Sequence, residues 1–152
     1  MSSCFSGNRI ENNETLINLK SMTLEIIQKI ITLTESRIPY LIEKWDNDFF
    51  KWSQTFFDGI LDEMNEVKEE LKNWKQVYLE DELGDVFWDY ICLLENLEHE
   101  WKISKEKVFS RCYLKFSERL NSDGSNNGDW HTVKKIQKEK LKKEHEQMFQ
   151  KL

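Results

Sequence analysis

The chain reads as all-α: a compact bundle of about five helices around a central acidic helical hairpin. Three observations predict this. The 152 residues hold one proline and five glycines, while Leu, Ile, Lys and Glu abound, a composition that favours long helices joined by few turns. Apolar residues recur at intervals of three and four, and no segment sustains the period-two alternation of a strand. The length is one domain's worth, enough to bury a single core.

Residues 1–13 are polar and are expected to be disordered, leaving 14–150 as a single all-α domain. "TLINLKSMTLEIIQKIITLTESR" spaces Leu24, Ile27, Ile30 and Ile31 as one face of an amphipathic helix. Pro39, with the aromatic-rich "YLIEKWDNDFFKWSQTFF" after it, predicts a break and re-entry into a second helical segment. Further helices are predicted over roughly 54–73, 77–100 and 104–120, the last with Ser104 as N-cap. "NSDGSNNGD" is a loop of turn-forming residues, and Asp129 is placed to cap a final lysine-rich helix.

Charge and cysteines narrow the function classes. The net charge is −6, but residues 129–152 carry seven lysines against four acids, which leaves −9 on residues 1–128. A dedicated nucleic-acid binder would show a dominant basic face instead. Cys4, Cys92 and Cys112 have no zinc-type spacing, and an odd count suits no closed disulfide framework. Cys92 and Cys112 lie among apolar neighbours and are expected to be packed. No run has the apolar length of a signal peptide or a membrane span, so the expected setting is cytoplasmic and away from membranes.

Two segments carry the chemistry. On a helix that turns about 100° per residue, Ile60, Met64, Val67 and Leu71 form an apolar stripe, and Glu63, Glu66 and Glu70 line one flank of it. Leu79, Leu83, Val86 and Tyr90 form the matching stripe of the next helix, flanked by Glu82, Asp85 and Asp89. Acids beside an apolar stripe are ordinarily a solvated shoulder. Here, however, like charges at these spacings repel, and no Lys or Arg stands between Glu80 and Glu100 to relieve them. An antiparallel hairpin of the two helices would gather four to six carboxylates, a set suited to one or two Mg²⁺ ions, which take hard oxygen ligands and bridge to phosphates.

"LDEMNEVKEEL" followed by "EDELGDVFWDYICLL" resembles the MazG-like nucleoside triphosphate pyrophosphohydrolases, whose all-α domain carries ExxE on one helix and ExxD, often within ELGD, on the next. "WSQT", "KFSER" and "WHTVKKIQKEK" extend the resemblance over roughly residues 45–140. It implies hydrolysis of a nucleoside triphosphate, NTP or dNTP, between the α and β phosphates, with Mg²⁺, or Mn²⁺ in its place, as cofactor. By residue-by-residue match, Glu63, Glu66, Glu82 and Asp85 are the implied metal ligands. Glu66 is also the expected catalytic carboxylate toward water. Lys115, Arg119 and Lys134 are the implied phosphate-binding residues, and Trp52 a candidate for stacking on the base. Departures from the family pattern are Asp62 in place of the usual paired Glu, and "ERLNSDGSNNGD" where longer members carry a His-Pro-rich stretch.

Two rival readings share the acids. One is a dUTPase or dCTPase of the same fold, distinguished by a strict pyrimidine deoxynucleotide preference. The other is a non-catalytic helical interaction module, against which Lys115 and Arg119 speak. The expected partners are the nucleotide and further copies of the chain, as a homodimer or homotetramer, since the first helix and the aromatic segment offer apolar surface beyond the core. His99, His131 and His145 read as solvated. Gly84, within a helix, predicts close approach of another helix or of ligand at the level of the acids.

Overall fold

The computed structural model describes residues 7–44, 50–73, 75–120 and 129–150, and of residues 7–17 and 73 the backbone alone. These residues form five helices and no strand: α1 (Gly7–Glu43), α2 (Ser53–Asn73), α3 (Gln76–His99), α4 (Lys105–Leu120) and α5 (Trp130–Phe149). The backbone gathers into two units, Met1–Lys102 with α1 to α3 and Ile103–Leu152 with α4 and α5.

The expected break at Pro39 does not occur, and α1 runs through it to Glu43. A proline inside a helix removes one backbone hydrogen bond and costs about 3 kcal/mol. Ile38 and Leu41, on either side, are both buried in the core cluster with Phe50, Phe56 and Cys92. At roughly 1.5–3 kcal/mol for each buried aliphatic side chain, that packing offsets the proline. Helix α1 also begins at Gly7, so residues 7–13, expected to be disordered, are helical. Residues 1–6 and 45–49, the latter within the expected second segment, lie outside the described residues.

Helices α2 and α3 pack against each other as an antiparallel hairpin, and α1 packs on α3. The register can be followed along the pair. Phe56 and Cys92 share the core cluster, Gly59 faces Asp89, and Glu66 lies beside Glu82. At the open end, Glu100 reaches across to the start of α2, accepting hydrogen bonds from the Ser53 backbone N–H (2.9 Å) and hydroxyl (3.2 Å). A carboxylate there satisfies an N–H with no helical partner and complements the helix dipole.

Glu100 is set in place by the end of α3. Trp101 adopts a left-handed conformation with φ 59°, its N–H bonds the Glu98 carbonyl, and the Lys102 N–H bonds the Leu97 carbonyl, both at 3.0 Å. This is the double-bonded helix stop in which glycine is usual. Trp52, just before α2, has φ 58° as well, and its ring lies 6.0 Å from that of Phe50.

The predicted apolar stripes are only partly covered. Val67 is buried and Ile60, Leu79 and Val86 partly so, but Met64, Leu71, Leu83 and Tyr90 are exposed. The core lies instead toward the open end, in Phe56 of α2 and in Ile91, Cys92 and Leu94 of α3. Asn96 sits in the same interior with 0% exposure, and neither atom of its amide has a hydrogen-bond partner among the described residues. Thr34, equally buried, is satisfied within its own helix by the Ile31 carbonyl at 2.8 Å.

In the second unit, Ser104 and Asp129 occupy the predicted N-cap positions, accepting from Lys107 N–H (3.4 Å) and Thr132 N–H (2.9 Å). Arg111 pairs with Glu144 across α4 and α5, and Gln137 accepts from Arg119 Nε (2.8 Å) while donating to the Lys115 carbonyl (3.0 Å). Among the described residues α4 buries none and α5 buries Val133. Cys92 is packed as expected; Cys112 is exposed, because its face of α4 is left uncovered.

Candidate metal centre

The acids converge where the hairpin leaves its apolar core. Glu63 and Glu66 stand one turn apart on α2, and Glu82 faces them from α3, so that one carboxylate oxygen of each lies within 4.8 Å of the others. Glu63 and Glu82 are partly buried and Glu66 is exposed, so the group is sheltered on one side and open on the other. The hairpin register puts Asp85 level with Glu63. Asp85 lies outside the tight group but close enough for its charge to act on both Glu63 and Glu82.

Burial and crowding leave their mark on proton affinity. The Glu63 carboxyl is raised above the usual range by burial and then by the charges of Glu66, Asp85, Glu82 and Asp89. Glu82 is raised by burial, Glu66, Asp81 and Asp85, against a hydrogen bond shared with Glu63. Asp89, half-buried between the helices, is raised by burial and by Asp85. No cation among the described groups offsets these acids, and the donor set is all hard oxygen. Three carboxylates so close could hold a metal ion, which the shared negative charge would attract.

A hollow beside Glu66 is lined by Asn65, Lys68, Glu69, Glu70 and Lys72. Lys72 is paired with Glu69 at 2.7 Å, and Lys75 lies 3.8 Å from Glu70. Lys68 also lines this hollow, a neighbour not singled out in the sequence because lysines are frequent on any exposed helical face.

The remaining predicted residues are on other segments of the chain. Trp52 precedes Glu63 by eleven residues, roughly 16 Å of helical rise. Lys115, Arg119 and Lys134 are on α4 and α5 of the second unit. There the Arg119 guanidinium lies 5.6 Å from the Phe116 ring centroid and 5.3 Å from that of Trp130, a cation–π sandwich that fixes its direction. Lys115 and Arg119 line a groove with Leu114, Lys138 and Leu141.

Gly84 does not mark a close helix contact, since a Cβ built on it meets nothing within 4 Å. The close approach is at Gly59, whose added Cβ would lie 2.1 Å from Asp89 Oδ2. The sequence signal, a glycine one turn before an ExxE pair, is present but is readable only once its facing residue is known.

A helical hairpin that gathers Glu63, Glu66 and Glu82 from facing helices has the donor set that could hold a metal ion. Residues 52–122, spanning α2, α3 and α4, match the family model of the MazG nucleotide pyrophosphohydrolase domain, so this segment is MazG-like and points to nucleotide pyrophosphohydrolase chemistry. Trp52, the four predicted metal ligands, Lys115 and Arg119 fall within the matched residues; Lys134 follows them. No curated protein and no solved structure gives a match to the chain. Among the described residues, no helix is long and apolar enough to cross a membrane.

Proposed function

We propose that the protein hydrolyses nucleoside triphosphates, NTP or dNTP, between the α and β phosphates, releasing the monophosphate and pyrophosphate with Mg²⁺ as cofactor. The observation that carries this reading is the convergence of Glu63, Glu66 and Glu82 in a stretch that matches the MazG domain. Glu63, Glu66, Glu82 and Asp85 would hold the ion. When bound, it supplies charge neutralisation at the phosphates and lowers the pKa of an attacking water.

The chain's own groups do the rest. Glu66, the exposed member of the three, is the carboxylate best placed to orient water at the open side of the site. Lys68 stands beside it and would meet phosphate oxygens. On this reading Lys115, Arg119 and Lys134 would contact the phosphates and Trp52 would stack on the base. Together these roles would make residues 14–150 one functional domain, working in the cytoplasm.

Self-association as a homodimer or homotetramer belongs to the same proposal. Leu19, Ile26, Leu33 and Tyr40 are exposed at strict seven-residue intervals along α1, and Met64, Leu71, Leu83 and Tyr90 are exposed on the hairpin. Apolar surface in this amount ordinarily becomes an interface.

The test is to incubate the purified protein with the eight common NTPs and dNTPs and with dUTP, with and without Mg²⁺, and to separate products by ion exchange. Monophosphate and pyrophosphate appearing only with metal support the reading, and the ranking names the substrate. No cleavage of any nucleotide would refute it. Sedimentation equilibrium of the same sample tests the assembly.

A further inference from the structure

The site rests on the layer of the hairpin beneath it. Gly59 lies one helical turn before Glu63 on α2, and Asp89 one turn beyond Asp85 on α3, so the two face each other directly below the Glu63 and Asp85 level. One further layer down, Phe56 and Cys92 belong to the apolar core. Gly59 and Asp89 thus form the step at which the hairpin changes from packed hydrocarbon to carboxylates.

The contact at this step is close. A Cβ at position 59 would lie 2.1 Å from Asp89 Oδ2, 3.1 Å from its Cγ and 3.8 Å from Oδ1. Asp89 Oδ2, with Cγ close behind it, stands where a Cβ at position 59 would be, while Oδ1 lies at ordinary contact distance. Any residue larger than glycine at 59 would therefore displace the carboxylate or part the helices. Parting of the helices would be felt one turn on, where Glu63 faces Glu82.

Resting on the reading that Glu63, Glu66 and Glu82 hold a divalent cation, we propose that Gly59 and Asp89 are its positioning residues: Asp89, seated on the bare Cα of Gly59, sets the helix spacing at which those three carboxylates converge. Asp89 acts by occupying space, and it is not a ligand in this arrangement.

Mn²⁺ binding, followed by electron paramagnetic resonance on the full chain without nucleotide, tests this, with circular dichroism to verify folding. Gly59→Ala is expected to weaken Mn²⁺ binding by about 10- to 100-fold, the range for groups that orient metal ligands. In Gly59→Ala/Asp89→Ala the new methyl fills the space the carboxylate leaves, and binding returns to within about twofold of wild type, the scatter of independent changes. Asp89→Asn keeps the shape without the charge and is also expected to bind within about twofold of wild type.

Wild-type binding by Gly59→Ala overturns the seat. So does a double variant as weak as the single one, whether Gly59→Ala itself folds or not. A loss in Asp89→Asn equal to that of Gly59→Ala would assign Asp89 a role through its charge and likewise overturn it. Absence of Mn²⁺ binding by the wild type would remove the metal centre itself, an outcome distinct from failure of the seat.

Discussion

The two ends of the α2–α3 hairpin are built on opposite terms. Toward the open end, Phe56, Ile91, Cys92 and Leu94 are buried, and Glu100 is engaged by Ser53 and Lys102. Toward the turn, Glu63, Glu66 and Glu82 crowd one another with no cation among the described residues to offset Glu63. The first end stabilises the fold, while the second holds a repulsion that the fold tolerates. A domain this size is held by only about 5–15 kcal/mol, so such a repulsion persists when something else in the molecule's use of the site offsets it.

The strongest way to break the contrast is at the acids. Glu82→Gln should reduce nucleotide turnover by about 100-fold or more, since even groups that merely orient metal ligands are worth up to that. The same variant should melt at a higher temperature than wild type in the absence of metal, because one of the crowded charges is gone. A variant with full activity would end the proposed mechanism; lower metal-free stability would show that the cluster is not a source of repulsion.

The reverse change is at the packed end. Ile38→Ala, at a residue with 0% exposure, should cost about 2–5 kcal/mol in urea unfolding. Below the transition it should leave Mn²⁺ affinity within about twofold, because Ile38 contacts the apolar end and not the acids. A parallel loss of metal binding would mean that the two ends are coupled.

A smaller effect is expected at Asn96, which is the exception within the packed end. Its amide is buried without hydrogen-bond partners, so Asn96→Leu should stabilise the protein by about 1 kcal/mol, read from the same urea curves. Destabilisation would indicate that the amide is satisfied by bound water.

The smallest effect is on pH dependence, where the two ends should respond with opposite sign. Glu63 and Glu82 have folded-state pKa values raised above their ordinary 4.5, mainly by burial and by neighbouring acids. Without metal, the stability they contribute is fully present below that value and is lost as pH rises through the raised ones. Burial raises Glu100 too, but Lys102 and Ser53 outweigh it and hold the carboxyl below 4.5. Its contribution is present above 4.5 and lost as pH falls through the lowered value. Melting temperatures of metal-free Glu82→Gln and Glu100→Gln across pH 3–8 should therefore flatten different limbs of the curve.

Much of this was legible in the sequence where the rule is local. The span of α2 to α4 and the caps Ser104 and Asp129 follow from spacing within one segment, and the structure bears them out; of the two acid ladders it gathers Glu63, Glu66 and Glu82. What was missed depends on residues distant in the chain. Pro39 was read by its backbone chemistry, while the outcome was decided by where Ile38 and Leu41 pack. Gly84 and Gly59 are alike as glycines in helices; only the side chain opposite tells them apart, and that is Asp89 for Gly59 and open space for Gly84. Met64, Leu71, Leu83 and Tyr90 carry the periodicity of a core, but periodicity identifies a face without saying what covers it.

The Glu100 clamp has a consequence for how the hairpin breathes. Amides in the first turn of a helix have no partner within it and ordinarily trade their protons with solvent as freely as a loop does. The Ser53 amide is donated to a carboxylate forty-seven residues away, at the far end of the neighbouring helix. Its exchange then depends on the parting of α2 from α3, not on fraying of α2. A single slowly exchanging proton at Ser53 would report the opening of the hairpin from a position about three turns from the acids, leaving the acidic end untouched by the probe.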